Sequence, residues 1–328
     1  MKFDTIKLST NAKYFTPIDN ALFKNNIDMA TGELISMEYH SGYHKDLTPY
    51  ELNIRADYRF QKLSIEFSSK ILLSDYPLLI CSDTFRQCLA NIGSLGICRL
   101  DIDGIIADCY FNKLHIVKDI HLQLTPSILD RLNQCTGDYR RYKWRRYDTA
   151  ISFSRNVQAV DCRESITIYD KTAELARLSN KAFLNKTGSQ EAILNYFADK
   201  TRLEVKLENK RKIQKAFGIA NTDYHSVMNC PKNIVLTQFD KIFGPSVPTT
   251  GKAEINNIVD YGIWCIIRYH NFDLQRIEQE IKDINLYADK TKGAMGKQMK
   301  KIKTMMQACL NQDSATDAVV DGIREQLR

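Results

Sequence analysis

Two short stretches constrain this chain more than any others. Ser165-Ile166-Thr167-Ile168-Tyr169-Asp170-Lys171-Thr172-Ala173-Glu174 and, about thirty residues later, Arg202-Leu203-Glu204-Val205-Lys206-Leu207-Glu208 both alternate apolar and polar residues. That period belongs to a half-buried β-strand. Alternation puts Thr167, Tyr169 and Lys171 on one face of the first strand and Arg202, Glu204, Lys206 and Glu208 on one face of the second. The fold must therefore contain a sheet with one apolar and one polar face. A tyrosine among lysines, an arginine and carboxylates is the equipment for covalent attack on a phosphodiester. A core tyrosine whose hydroxyl bonds a carboxylate fits the same pattern.

Elsewhere the order of elements is mixed. Residues 1–70 read as strands and turns, with Gly32 and Gly42 as punctuation. Asp83 is placed to cap a helix through Ala90 that stops at Gly93, and Gly96 to Gly104 reads as strand and turn. A strand is expected from about Asp108 to Leu124, followed by a helix that Thr125-Pro126 opens and that ends near Cys135. Two strands ending at Lys171 come next, then a helix through Arg177, a turn-rich insertion and a helix from Gln190 to about Asp199. The Arg202 strand leads into a helix from Asn209 to Phe217 that Gly218 terminates.

Strands so often adjacent in sequence argue for an α+β fold, residues 1–218, on a mainly antiparallel central sheet with flanking helices. From Ala253 the apolar residues Ile255, Ile258, Val259, Ile263, Ile266 and Ile267 recur at helical spacing, so residues 219–328 are expected to form a mostly helical second domain. No apolar run approaches the roughly 18 to 20 residues that span a bilayer, and the start of the chain lacks the apolar core of a signal peptide, which implies a cytoplasmic protein with no membrane partner. Nine cysteines without a Cys-x-x-Cys pair fit free thiols in a reducing compartment.

A formal net charge of +7 points only weakly to an anionic partner, so the placement of the charge matters more. Tyr139-Arg140-Arg141-Tyr142-Lys143-Trp144-Arg145-Arg146-Tyr147 interleaves five cations with four aromatics. Such a segment neutralises phosphates and offers ring faces to unstacked bases, the way single strands are gripped without sequence preference. An exposed strand with solvated charges is the alternative. Lys290 to Lys303 holds six lysines but no aromatic, and fits a solvated helix face as well as it fits phosphate contact.

Asp119, His121 and Gln123 alternate onto one face of their strand, where oxygen and nitrogen donors at i, i+2 and i+4 can hold a divalent ion; a solvent-facing His and Gln fit equally. Asp101 and Asp103 beside Gly104 read as ordinary turn chemistry.

The run Ile168-Tyr169-Asp170-Lys171 with Glu174, followed by Arg202-Leu203-Glu204-Val205-Lys206, resembles the tyrosine motif and the following Arg-x-Glu strand of rolling-circle replication initiators of plasmids (the Rep_trans type) and filamentous phages. Lys113 to Ile120 resembles their strand with a central aspartate, and His121-Leu122-Gln123 resembles a variant of the His-hydrophobic-His metal motif of the wider HUH superfamily. The resemblance spans roughly residues 95 to 215. It implies an HUH-like sheet and a metal-dependent, site-specific nickase. Tyr169 would attack the scissile phosphate of single-stranded origin DNA and keep the 5′ end as a phosphotyrosine. Lys171 and Arg202 would steady the phosphate, and Mg²⁺ or Mn²⁺ would sit on Asp119, His121, Gln123 and Glu204. Arg140, Arg141, Tyr142, Lys143, Trp144, Arg145 and Arg146 would hold the melted strand.

Implied partners are single-stranded and duplex origin DNA and a host helicase or polymerase, with a homodimer left open. Two departures stand out. Thr167 occupies the place where plasmid members carry a cation, leaving Arg163 or Arg202 to substitute, and the second metal-motif histidine is missing. A non-catalytic DNA-binding regulator and a mobilisation relaxase are the competing readings.

Overall fold

A computed structural model describes residues 1–134, 142–155, 164–243, 255, 257–270, 273–284, 293–310 and 315–328, the side chains of residues 134, 142–144, 155, 268, 307–310 and 315–317 excepted. In chain order the strands are β1 (Phe3–Asn11), β2 (Phe15–Pro17), β3 (Lys24–Ile27), β4 (Leu34–His40), β5 (Leu52–Asp57), β6 (Lys62–Ser68), β7 (Cys98–Leu100), β8 (Tyr110–His121), β9 (Tyr142–Tyr147), β10 (Ala150–Arg155), β11 (Glu164–Asp170) and β12 (Lys200–Leu207). The helices are α1 (Phe85–Ser94), α2 (Ile102–Asp108), α3 (Pro126–Gln134), α4 (Lys171–Leu175), α5 (Lys181–Thr187), α6 (Gln190–Phe197), α7 (Lys210–Phe217), α8 (Tyr224–Met228), α9 (Ile234–Phe243), α10 (Ile258–Tyr269), α11 (Leu274–Asp283), α12 (Ala294–Leu310) and α13 (Ala315–Leu327). The fold is α+β, and no helix among the described residues is long and apolar enough to cross a membrane.

Two units divide the chain, and each is discontinuous in sequence. The first comprises residues 1–123 and 154–235, the second residues 124–153 and 236–328. Within the first, the strands run β3-β4-β5-β6-β1-β8-β12-β11, with every neighbouring pair antiparallel. Register fixes the two faces. Ile168 lies opposite Leu203, Val205 opposite Ile116, and Ile6 opposite both Leu114 and Phe67. All seven are at most 1 % exposed, so this face forms the core. Burying a side chain of this size stabilises by about 1.5–3 kcal/mol.

The other face carries the alternating polar residues. Tyr169 lies opposite Arg202, and Arg202 opposite Asp119. One such row crosses three strands. Near its start β1 departs from regular pairing: the register shifts between Phe3 and Thr5. An inserted residue of this kind re-aims a side chain, and here Asp4 reaches Arg202.

Several local expectations change. Asp83 does not cap α1, because Thr84 precedes the helix without a side-chain cap bond, and α1 runs through Gly93 to Ser94 before Gly96 turns at φ +74°. Of the segment 96–104, expected as strand and turn, Cys98–Leu100 forms the strand. Asp101 then caps α2, accepting from the Gly104 amide at 3.0 Å. The turn-rich insertion holds α5. By contrast Thr125 accepts from the Ile128 amide at 3.3 Å to open α3. Asn209 caps α7 through the Lys212 amide, and Gly218 ends it in the left-handed region at φ +69°.

The second unit has its own apolar cluster, in which Ile263 and Ile267 of α10 meet Leu274 and Ile277 of α11 and Ile302 and Met306 of α12. Arg324 of α13 donates to Asp240 at 2.8 Å and to the Phe243 carbonyl at 2.9 Å. β9 and β10 are neighbours joined by a turn at Asp148-Thr149.

Candidate active site

Arg202 is the structural centre of the polar face. Its side chain is wholly buried and still fully partnered. Nε and Nη2 donate to the two oxygens of Asp119 at 2.6 and 2.8 Å, and Nη1 donates to Asp4 at 2.8 Å and to the Tyr76 hydroxyl at 3.5 Å. The Phe197 ring lies 5.3 Å from the guanidinium carbon. A planar fork matches a carboxylate in two parallel bonds, which is why arginine occupies this place. Burial works to raise the Asp4 pKa, but Arg202, Lys171 and Lys70 outweigh it and hold that carboxyl well below the ordinary range. Burial pushes the Tyr76 phenol far above its usual value.

Lys171 stands at a change of direction. The expected strand through Lys171 ends one residue earlier, because the Asp170 side chain accepts from the Ala173 amide at 2.9 Å and starts α4. The lysine therefore leaves the strand alternation and turns inward to 2 % exposure. Its ammonium donates to Glu174 at 2.5 Å and lies 5.7 Å from the centroid of the Tyr169 ring. Asn180 donates to Glu174 at 3.0 Å, and Lys70 donates to Asn180 at 2.7 Å. Burial, then the charge of Arg202, lowers the Lys171 pKa. Burial alone would raise Glu174, yet Lys171 and Lys70 bring it below the ordinary value.

Tyr169 occupies the gap between these cations, half-buried. Its hydroxyl makes no hydrogen bond with any described residue, whereas Tyr39, Tyr58 and Tyr224 spend theirs on Thr48, Met37 and the Ser82 carbonyl. Burial, then the negative charge of Glu204, lifts its pKa well above the usual 10.0. At neutral pH the group is a phenol with its oxygen uncommitted.

The expected metal donors are arranged otherwise. Asp119 gives both oxygens to Arg202. Glu204 accepts from His115 Nδ1 at 2.9 Å and lies 3.6 Å from the Lys206 ammonium. His121 ends β8 on the Asp119 side of the strand, and Gln123 lies beyond the strand, exposed. Asp101 is occupied as a helix cap. Among the described residues no group of three or more His, Cys, Asp or Glu is arranged to hold a metal ion. The four donors as they stand do not fit one ion, since a guanidinium already neutralises Asp119.

Alternation with Asp119 on β8 puts His115 on this face, where it bridges Glu204 and, at 3.1 Å, Glu208. Burial would lower its pKa, and the two carboxylates raise it. The i, i+4 spacing of His115 and Asp119 was the signal that could have found it. Nothing in the sequence marks Asp4 or Tyr76, which reach the site through a register shift and through a 3₁₀ segment, Ser69–Leu78. Arg145 and Arg146 are exposed on β9, with Arg146 3.2 Å from Asp130. Arg140 and Arg141, the substitute cation Arg163, and the side chains of Tyr142, Lys143 and Trp144 lie outside the described residues.

Comparison with protein-family models, with curated proteins and with solved structures returned no match.

Proposed function

We propose that this protein is a site-specific DNA nicking and joining enzyme that initiates rolling-circle replication of a phage, plasmid or other mobile element, with an HUH-like sheet as its scaffold. The observation that carries the reading is the uncommitted Tyr169 hydroxyl beside Lys171 and in line with a clamped Arg202. Tyr50, at 6 % exposure, also leaves its hydroxyl without a hydrogen bond to any described residue, so what sets Tyr169 apart is its place beside Lys171 and opposite Arg202. In the reaction the phenol oxygen bonds to the scissile phosphorus, the P–O3′ bond breaks, the phenol proton passes to solvent and the departing 3′ oxygen takes up a proton. The 5′ end stays as a phosphotyrosine, and attack by a 3′ hydroxyl later rejoins the strand.

Arg202 and Lys171 are positioning residues in this reading. Their burial keeps them from touching phosphate directly, while their charge favours the anion that develops on the phenol oxygen. A bound Mg²⁺ or Mn²⁺ would supply Lewis-acid polarisation of the phosphate, but the donors here meet no such ion together, and every step above is carried by the protein's own groups. Exposed Arg145 and Arg146 support a grip on the single strand.

The test replaces Tyr169 by Phe and measures nicking of supercoiled DNA carrying the cognate origin, with Mg²⁺ or Mn²⁺ present. Nicking falls at least a thousandfold while origin binding stays within twofold, and adduct mass spectrometry of the parent maps to Tyr169. Because the phenol pKa is raised, the parent's rate climbs with pH without a plateau below pH 10. Absence of nicking in the parent would leave a DNA-binding regulator; an adduct on another tyrosine would move the site.

A further inference from the structure

Beside this site, on the first unit, lies a cleft of about 580 Å³. β1 pairs with β8 only from Phe3 opposite Ile116, and the Val117 amide donates to the Lys2 carbonyl at 3.0 Å. Past that point the cleft follows β8 along Ile116, Val117, Lys118 and Asp119, with the segment Cys230–Val235 and the Tyr196 ring as its other walls.

Its charge is one-sided. Lys2, Lys118 and Lys232 all line it, and none of the three makes an ion pair with a described residue. Asp119 is the one carboxylate among the lining residues, and both of its oxygens are held by Arg202. A fourth cation, Lys200, sits 3.3 Å from the centroid of the Tyr196 ring. Ammoniums without an ion-pair partner among the described residues, around a pocket of this size with an aromatic ring in its wall, take an anionic ligand with a flat apolar part.

We infer that the cleft holds a nucleotide of the substrate strand, its phosphate on Lys2, Lys118 and Lys232 and its base against the Tyr196 ring. The inference rests on the function proposed above and locates the strand relative to Tyr169. Asp119 belongs to the cleft and stands two strands from Tyr169, roughly 10 Å, a span that a flanking nucleotide bridges. Occupying the cleft brings the scissile phosphate to the phenol.

The test uses the full chain and a labelled origin oligodeoxynucleotide. The double variant Lys2→Glu and Lys232→Glu changes two exposed, unpaired side chains, and Lys118→Gln is the second variant; circular dichroism confirms that each folds. The expected result is at least tenfold weaker strand binding for the double variant, with a shallower salt dependence by about one to two contacts. Cys230 in the cleft wall should be alkylated more slowly when the oligonucleotide is bound.

Unchanged affinity in both lysine variants, or unprotected Cys230, overturns the cleft assignment even where Tyr169→Phe abolishes nicking. Protection of Cys230 by a free mononucleotide but not by the strand overturns it in favour of a small-molecule site. Nicking by Tyr169→Phe instead defeats the proposed function, and Cys230 protection then still decides whether the cleft takes a strand.

Discussion

A guanidinium with no exposed surface touches nothing but protein, so the strength of Arg202 lies in what it holds apart and together. Two carboxylates meet it: removing it takes both bonds from Asp119, while Asp4 keeps Ser69 and the charges of Lys171 and Lys70. Breaking a buried pair in this way costs about 3–5 kcal/mol; Arg202→Met should lower the urea midpoint accordingly. Arg202→Lys should recover little, because an ammonium cannot make the two parallel bonds to Asp119. Stability should also depend on acid in a stated direction. Asp4 and Glu174 both have folded pKa values below their unfolded ones, so their contribution is present above the unfolded carboxylate range near pH 4 and is lost as pH falls through the depressed values. Thermal unfolding followed from pH 6 downward should show this loss, and Glu174→Gln should flatten it.

At the scale of elements, one cap decides the shape of the site. Asp170 ends β11 and starts α4, which turns Lys171 from the strand face into its bond with Glu174. Removing such a cap costs about 1 kcal/mol; Asp170→Ala should lower stability by that amount and slow nicking by more than the stability loss explains. The sequence carries a mark of this turn: Asp170 stands where the alternation of Ile166 and Ile168 calls for an apolar residue, and a carboxylate at that place fits a strand end and a helix cap. Elements set by local chemistry were legible: β8, β12 and the helix Asn209 to Phe217 with its Gly218 stop. The pairing of Tyr169 with Arg202 followed from two strands that share a polar face. Asp4 and Tyr76 were not legible as partners, since they meet Arg202 across 198 and 126 residues and no local pattern records such contacts, whereas His115 had its i, i+4 spacing to Asp119 as a signal. Asn180, Asn185 and Gly188 make the α5 segment turn-rich in sequence, yet Phe183 and Leu184 are buried and hold it as a helix.

At the scale of the whole chain, the first unit continues beyond the helix that Gly218 closes. The amide of Phe111 on β8 donates to the Thr222 carbonyl at 2.7 Å, and Tyr110 bridges to Asp223. Asp223 then caps α8, from which Val227 is wholly buried and Met228 nearly so. Tyr224 extends the same contact, its ring 5.0 Å from that of Phe85, which itself meets Phe111 at 6.0 Å. Cutting after Gly218 would strip one edge of β8 of its backbone partner and uncover apolar residues on the core side of the strand that carries Asp119. Burial of Val227 and Met228 alone is worth roughly 3 kcal/mol or more. A chain ending at residue 218 should therefore unfold at a lower urea concentration than one ending at residue 235, and the longer chain should keep the Lys118 to Val235 cleft and its strand binding. Equal midpoints for the two chains would show that α8 rests on the sheet without stabilising it.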